Sequence, residues 1–159
     1  MGVNAKYLLG FRCDSPLCAG DVISLPMAAV NVAKGDILVD NGSGYVTNAS
    51  ITAFADGIFY VALEPVNNSA GASGDLNILC IVPNHNLFFW VPNESATVAA
   101  QTDVGEVIDL ESEDGVDVTD TTLTAWGFAV VDIDISTAAL AAAAGGFVKG
   151  HFMVVGETT

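Results

Sequence analysis

The chain has 159 residues, 52% of them apolar, and carries nineteen acidic against four basic side chains for a formal net charge of −15. That length suits one well-buried domain, and the apolar content supplies its core. The charge argues against phosphate backbones and anionic lipid as partners, and no segment reaches the roughly 18 consecutive apolar residues of a membrane span.

Residues 1–20 differ from the rest. They hold Lys6 and Arg12, an extended apolar run from Tyr7 to Phe11, and Cys13 and Cys18 flanking the turn at Pro16. The segment reads as an N-terminal arm or edge strand outside the main β-domain of residues 21–159. It lacks the continuous apolar stretch of a secretory signal, so the chain is expected to be soluble and unprocessed. A Cys13–Cys18 disulfide is left open by the spacing, and Cys80 falls in a candidate core strand.

From Asp21 onward, short apolar runs alternate with Gly, Asn, Asp and Pro clusters, the pattern of an all-β sandwich or barrel. The runs predict strands over Val22–Leu25, Asp36–Val39, Gly44–Thr47, Ile58–Pro65, Asp75–Val82, Leu87–Val91, Glu106–Leu110, Val116–Val118, Gly127–Ile135 and Phe147–Val155. Asn41-Gly42-Ser43-Gly44 is a hairpin turn, because Asn and Gly readily take positive φ. Strict alternation from Val130 to Ile135 predicts Val131, Ile133 and Ile135 on one face and the aspartates on the other. Thr137–Ala144 predicts a short helix or an ordered loop, ended by Gly145 and Gly146.

The rhythm occurs twice. Lys34-Gly35-Asp36-Ile37-Leu38-Val39, then Gly44-Tyr45-Val46-Thr47, answers to Val104-Gly105-Glu106-Val107-Ile108-Asp109, then Gly115-Val116-Asp117-Val118. The runs Asp56–Leu63 and Gly74–Val82 answer to Trp126–Val131 and Gly146–Val155. This gives two similar halves, about 30–85 and 100–156, forming one barrel or two small ones.

No catalytic constellation interrupts the pattern. There is no Gly-x-Ser-x-Gly elbow, HExxH helix or phosphate-binding loop, and no cofactor is expected. The cluster Asp109, Glu111, Glu113, Asp114, Asp117 and Asp120 lacks the spacing of a calcium loop and reads as an exposed, solvated hairpin. His85 and His151 are isolated, so a metal site is not expected. The sequons at Asn48, Asn67 and Asn93 read as accidental, and Trp90 and Trp126 as core residues.

The run Ala33-Lys34-Gly35-Asp36-Ile37-Leu38-Val39-Asp40, with Gly44-Tyr45-Val46-Thr47 and Asp56-Gly57-Ile58-Phe59-Tyr60-Val61-Ala62-Leu63, resembles the decoration, or cement, proteins of tailed-bacteriophage capsids. So do Trp90-Val91-Pro92, Val104 through Leu110, and Gly127 through Asp132. The resemblance implies a non-enzymatic virion protein on the outer capsid surface, bound to the major capsid protein and assembled as a homo-oligomer, with a trimer favoured. It also implies capsid contact through the N-terminal segment, at Lys6, Tyr7, Phe11 and Arg12. A glycan- or receptor-binding β module is the alternative, requiring an exposed aromatic platform at Trp90, Trp126 or Tyr45. A phage tail component is another.

Overall fold

The computed structural model describes residues 10–49, 58–121 and 126–154, without the side chains of Trp126 and Val154. Thirteen strands are present among them: β1 (Arg12–Cys13), β2 (Val22–Pro26), β3 (Asn31–Val32), β4 (Ile37–Asp40), β5 (Val46–Asn48), β6 (Phe59–Ala62), β7 (Val66–Asn67), β8 (Asn77–Ile81), β9 (Phe89–Pro92), β10 (Val107–Leu110), β11 (Val116–Asp117), β12 (Trp126–Asp134) and β13 (Phe147–Val154). One helix, α1 (Thr137–Ala142), lies between β12 and β13, with the Ser136 hydroxyl accepting from Ala139 N–H at 3.3 Å as its N-cap. No helix among the described residues is long and apolar enough to cross a membrane. The fold is an all-β, sandwich-like domain.

The strands form a five-stranded sheet, β2-β8-β6-β4-β5, a six-stranded sheet, β1-β9-β13-β12-β10-β11, and the small pair β3-β7. All pairings between strands are antiparallel. Without β1, the second order repeats the first strand for strand. The register agrees too: Ile37 pairs with Val61 and Val61 with Ile81, as Val107 pairs with Ala129 and Ala129 with His151. Each sheet curls until the residue after its first strand bridges its last, Met27 to Val46 and Asn93 to Val116. Gly35 and Gly105, then Gly74 and Gly146, take positive φ just before corresponding strands, where a side chain would be strained. The matching units therefore begin at β2 and β9, earlier than the sequence rhythm indicates.

The two sheets stack front to back. Cross-strand partners share a face, so Ile37, Val39, Phe59, Val61 and Ile81 form one side of the first sheet, and they enter the main core. The second sheet meets them with Ile108, Phe128, Val148 and Phe152, which correspond to the opposite side of the first. That opposite side (Leu38, Val46, Ala62, Ile78 and Cys80) encloses a separate small core with Met27 and Val32. One surface of the repeat is thus used twice, against two different neighbours.

Phe11 overturns its assignment to an arm that reaches a partner. It is 1% exposed, and its ring lies 5.7 Å from Phe128 and 5.0 Å from Phe152. From Gly10 onward the segment is woven into the domain, with β1 pairing along β9. Gly10 crosses Gly35 so closely that a Cβ on Gly10 would come 2.9 Å from the Gly35 carbonyl carbon, and Phe11 N–H donates to Gly35 O at 2.9 Å. Lys6 and Tyr7 lie outside the described residues.

A second correction concerns β12. A bulge between Val130 and Asp132 breaks the alternation, leaving Val131 and Ile135 exposed while Val130 and Ile133 turn to the core. Strands β3 and β7 were not among the predicted runs, while β1 answers to the edge strand that was the alternative to an arm.

Removing the Phe11 ring empties the centre of the main core. Phe11→Ala is expected to destabilise the fold by about 3–5 kcal/mol, read as a lowered urea midpoint at unchanged slope. An arm residue would leave the midpoint where it is.

Candidate functional site

The register of the second sheet sets four side chains in one row across β1, β9, β13 and β12: Arg12, Trp90, Lys149 and Asp132. The Lys149 ammonium sits 5.8 Å from the centre of the Trp90 ring and 2.6 Å from the Asp14 carboxylate. Trp90 is 8% exposed and packs with Phe147 and Ala139 of α1. Arg12 is half-buried; desolvation lowers its pKa, opposed by the charge of Asp36, and its Nε is buried with no hydrogen-bond partner among the described residues. The row thus joins two cations to the carboxylates of Asp14 and Asp132.

The β10–β11 hairpin, last in the strand order of the sheet, carries only acidic charges. It is not the freely solvated loop its sequence suggests. Glu113 O accepts from Ile37 N–H of the first sheet at 2.7 Å, and Gly115, Val116 and Val118 are buried. Burial also brings carboxylates together. Asp36 accepts from Ala33 N–H at 2.7 Å and Asn48 Nδ2 at 3.0 Å, yet desolvation, with Asp114 and Glu113 nearby, holds its carboxyl above the ordinary range. Glu94 is raised in the same way, first by burial and then by Asp114, Glu111 and Glu113. Asp117 goes the other way: the hydrogen bonds from Thr119 and Ser95 outweigh its desolvation. Among the described residues, no three His, Cys, Asp or Glu side chains converge on a point that could hold a metal ion.

The other singled-out residues are dispersed. Cys13, Cys18 and Cys80 are all free thiols, so the Cys13–Cys18 bridge is not formed. Desolvation, helped by Glu64, pushes the Cys80 thiol up to about 12. His85 is exposed in a turn, and the His151 ring meets Phe88 edge-on at 5.5 Å. Tyr45 is half-buried with its ring against Gly74, and Trp90 is covered, so neither presents a flat aromatic platform. The Trp126 side chain lies outside the described residues.

Asn93 carries a role the sequence did not signal. It is 1% exposed; its amide donates to Thr97 O at 2.8 Å and Gly145 O at 3.0 Å, and its oxygen accepts from Ser95 N–H and Val118 N–H. It clamps three loops and is closed to glycosylation. The charged row was equally hidden, since Arg12, Trp90 and Lys149 adjoin only once strand register is known.

Two outcomes follow from these environments. A disulfide-exchange reagent is expected to titrate Cys18 alone rapidly in the native protein, Cys13 slowly, and all three thiols in urea. The raised carboxyls of Asp36 and Glu94 favour folding at and below the ordinary carboxylate range, and that contribution is lost as pH rises through their higher folded values. The urea midpoint of an Asp36→Asn/Glu94→Gln variant is therefore expected to fall less between mildly acidic and neutral pH than that of the parent.

Comparison with protein-family models, with curated proteins and with solved structures gives no match.

Proposed function

We propose that this chain is a non-enzymatic structural protein of a virion, docking on the outer surface of a tailed-phage capsid and bracing the contacts between its major capsid subunits. The observation that carries the proposal is the charge layout of the second sheet. Arg12 and Lys149, two of the four basic residues, share one row with Trp90, beside the carboxylates of Asp14 and Asp132, while every charged side chain of the β10–β11 hairpin is acidic. In a chain of charge −15, that row is where an acidic shell would repel the protein least. A module with a charge gradient orients on a surface one way round, which is what a capsid brace requires. The sequence resemblance favours the same reading.

The test is co-sedimentation of the purified protein with expanded, undecorated tailed-phage capsids. Binding is expected, and Lys149→Glu is expected to weaken it by about tenfold, on the order of 1.4 kcal/mol. Glu111→Lys, on the exposed part of the hairpin, is expected to leave it unchanged or tighter. No binding, or loss of binding through the hairpin alone, overturns the proposal.

A further inference from the structure

The loops joining β4 to β5 and β10 to β11 close in the same way. Asp40 stands opposite Val46 and Leu110 opposite Val116. The next residue shuts each loop, Asn41 N–H donating to Tyr45 O at 2.9 Å and Glu111 N–H to Gly115 O at 3.2 Å. Their contents differ. The first loop holds Asn41-Gly42, the one place in the chain where glycine follows asparagine, and Asp40 stands where the second unit has Leu110.

In any Asn-Gly pair, the glycine nitrogen can close a five-membered ring on the asparagine side-chain carbonyl, and no Cβ hinders the approach. Two things oppose the reaction. The nitrogen is a poor nucleophile while it keeps its proton, and an unassisted amide is a poor electrophile. The β4–β5 loop answers both. Gly42 N–H donates to Asp40 Oδ1 at 2.6 Å, within the reach required of a general base. Asn41 Oδ1 accepts from Ser43 N–H at 2.9 Å and Tyr45 N–H at 3.4 Å, so two backbone donors meet the oxygen on which negative charge develops. The bond from Ser43 also folds the Asn41 side chain back along the Gly42 peptide.

The loop is open as well. Asp40, Asn41 and Gly42 are exposed, and nothing lies within 4 Å of the position a Gly42 Cβ would take, so water reaches the site. Asn68 and Asn93 make the contrast: both are buried, with their amides donating to backbone carbonyls.

We propose that Asn41 is a site of spontaneous modification, deamidating through a cyclic imide with Asp40 as the base. The Asp40 carboxylate takes the Gly42 N–H proton as the Gly42 nitrogen bonds to Asn41 Cγ. The carbonyl electron pair moves onto Oδ1, where the Ser43 and Tyr45 N–H groups hold it. When the carbonyl re-forms, the Cγ–Nδ2 bond breaks and Nδ2 leaves as ammonia, carrying the proton that Asp40 had taken. One water then opens the imide at either of its carbonyls, leaving an aspartyl or an isoaspartyl residue at position 41. One water enters, one ammonia leaves, and the chain gains one negative charge. The isoaspartyl form also adds a main-chain carbon inside the turn that sets the β4–β5 register.

Incubation of the purified protein at neutral pH and body temperature, followed by peptide mass spectrometry, tests the assignment. A gain of one mass unit at Asn41 is expected, in both product forms and with matching release of ammonia, while the other asparagines react far more slowly. Asp40→Asn keeps an acceptor for the Gly42 N–H but cannot take its proton. It is expected to slow the reaction about tenfold with the circular dichroism spectrum unchanged. Should that variant fail to fold, Asp40→Ala, on the same exposed side chain, is read in its place with the same slowing expected. An Asn41 that stays intact, modification that favours another asparagine, or a rate untouched by the variant that folds overturns the proposal. None of these outcomes depends on capsid binding.

Discussion

The structure depends on one ring. Phe152 of β13 lies 5.0 Å from Phe11, 4.8 Å from Phe59, 5.2 Å from Phe89 and 5.3 Å from Phe128, mostly edge to face. Those four rings come from the N-terminal segment, the first sheet and two strands of the second. Edge-to-face geometry is directional as well as apolar, so the cluster fixes how the sheets sit as well as that they meet. The N-terminal segment is part of that joint, which is why Gly10 and Gly35 must touch backbone to backbone.

The second consequence of the joint is electrostatic. Closing the sheets presses the β10–β11 hairpin onto the first sheet and brings Asp36, Glu94, Glu113 and Asp114 into one another's field. Arg12 lies in the field of the same cluster through Asp36. On the second sheet, Lys149 is held between Asp14 and the Trp90 ring. Packing and charge layout are therefore linked: the contact that completes the core also gathers the hairpin carboxylates beside Asp36.

The strands of four or more residues were readable because their apolar runs are bounded by glycine, asparagine and proline, and each of the ten expected runs contains a strand. The all-β class and the helix at Thr137 follow from the same local signals. Faces were not readable in β12, since one extra residue at Val131 reverses everything after it. The place of Phe11 was not readable either: an isolated aromatic beside two basic residues carries no period, and its burial depends on a crossing with Gly35 far along the chain. Asn93 looked like a sequon because its real partners, Thr97, Gly145 and Val118, are set by loops rather than by a pattern. Local chemistry specified the elements, and long-range contact specified the site.

The front-to-back stacking has a hazard built into it. A unit whose back fits the front of an identical unit has no reason to stop at two, and such contacts propagate into fibres. The second unit does not present the same back. Where the first sheet presents Ile37, Val39, Phe59, Val61 and Ile81, the corresponding positions of the second are Val107, Asp109, Gly127, Ala129 and His151. Small, charged and titratable side chains have replaced a continuous apolar surface, and the helix after β12 covers part of what remains. The back of the second unit thus differs in character from that of the first at four of these five positions, Asp109, Gly127, Ala129 and His151.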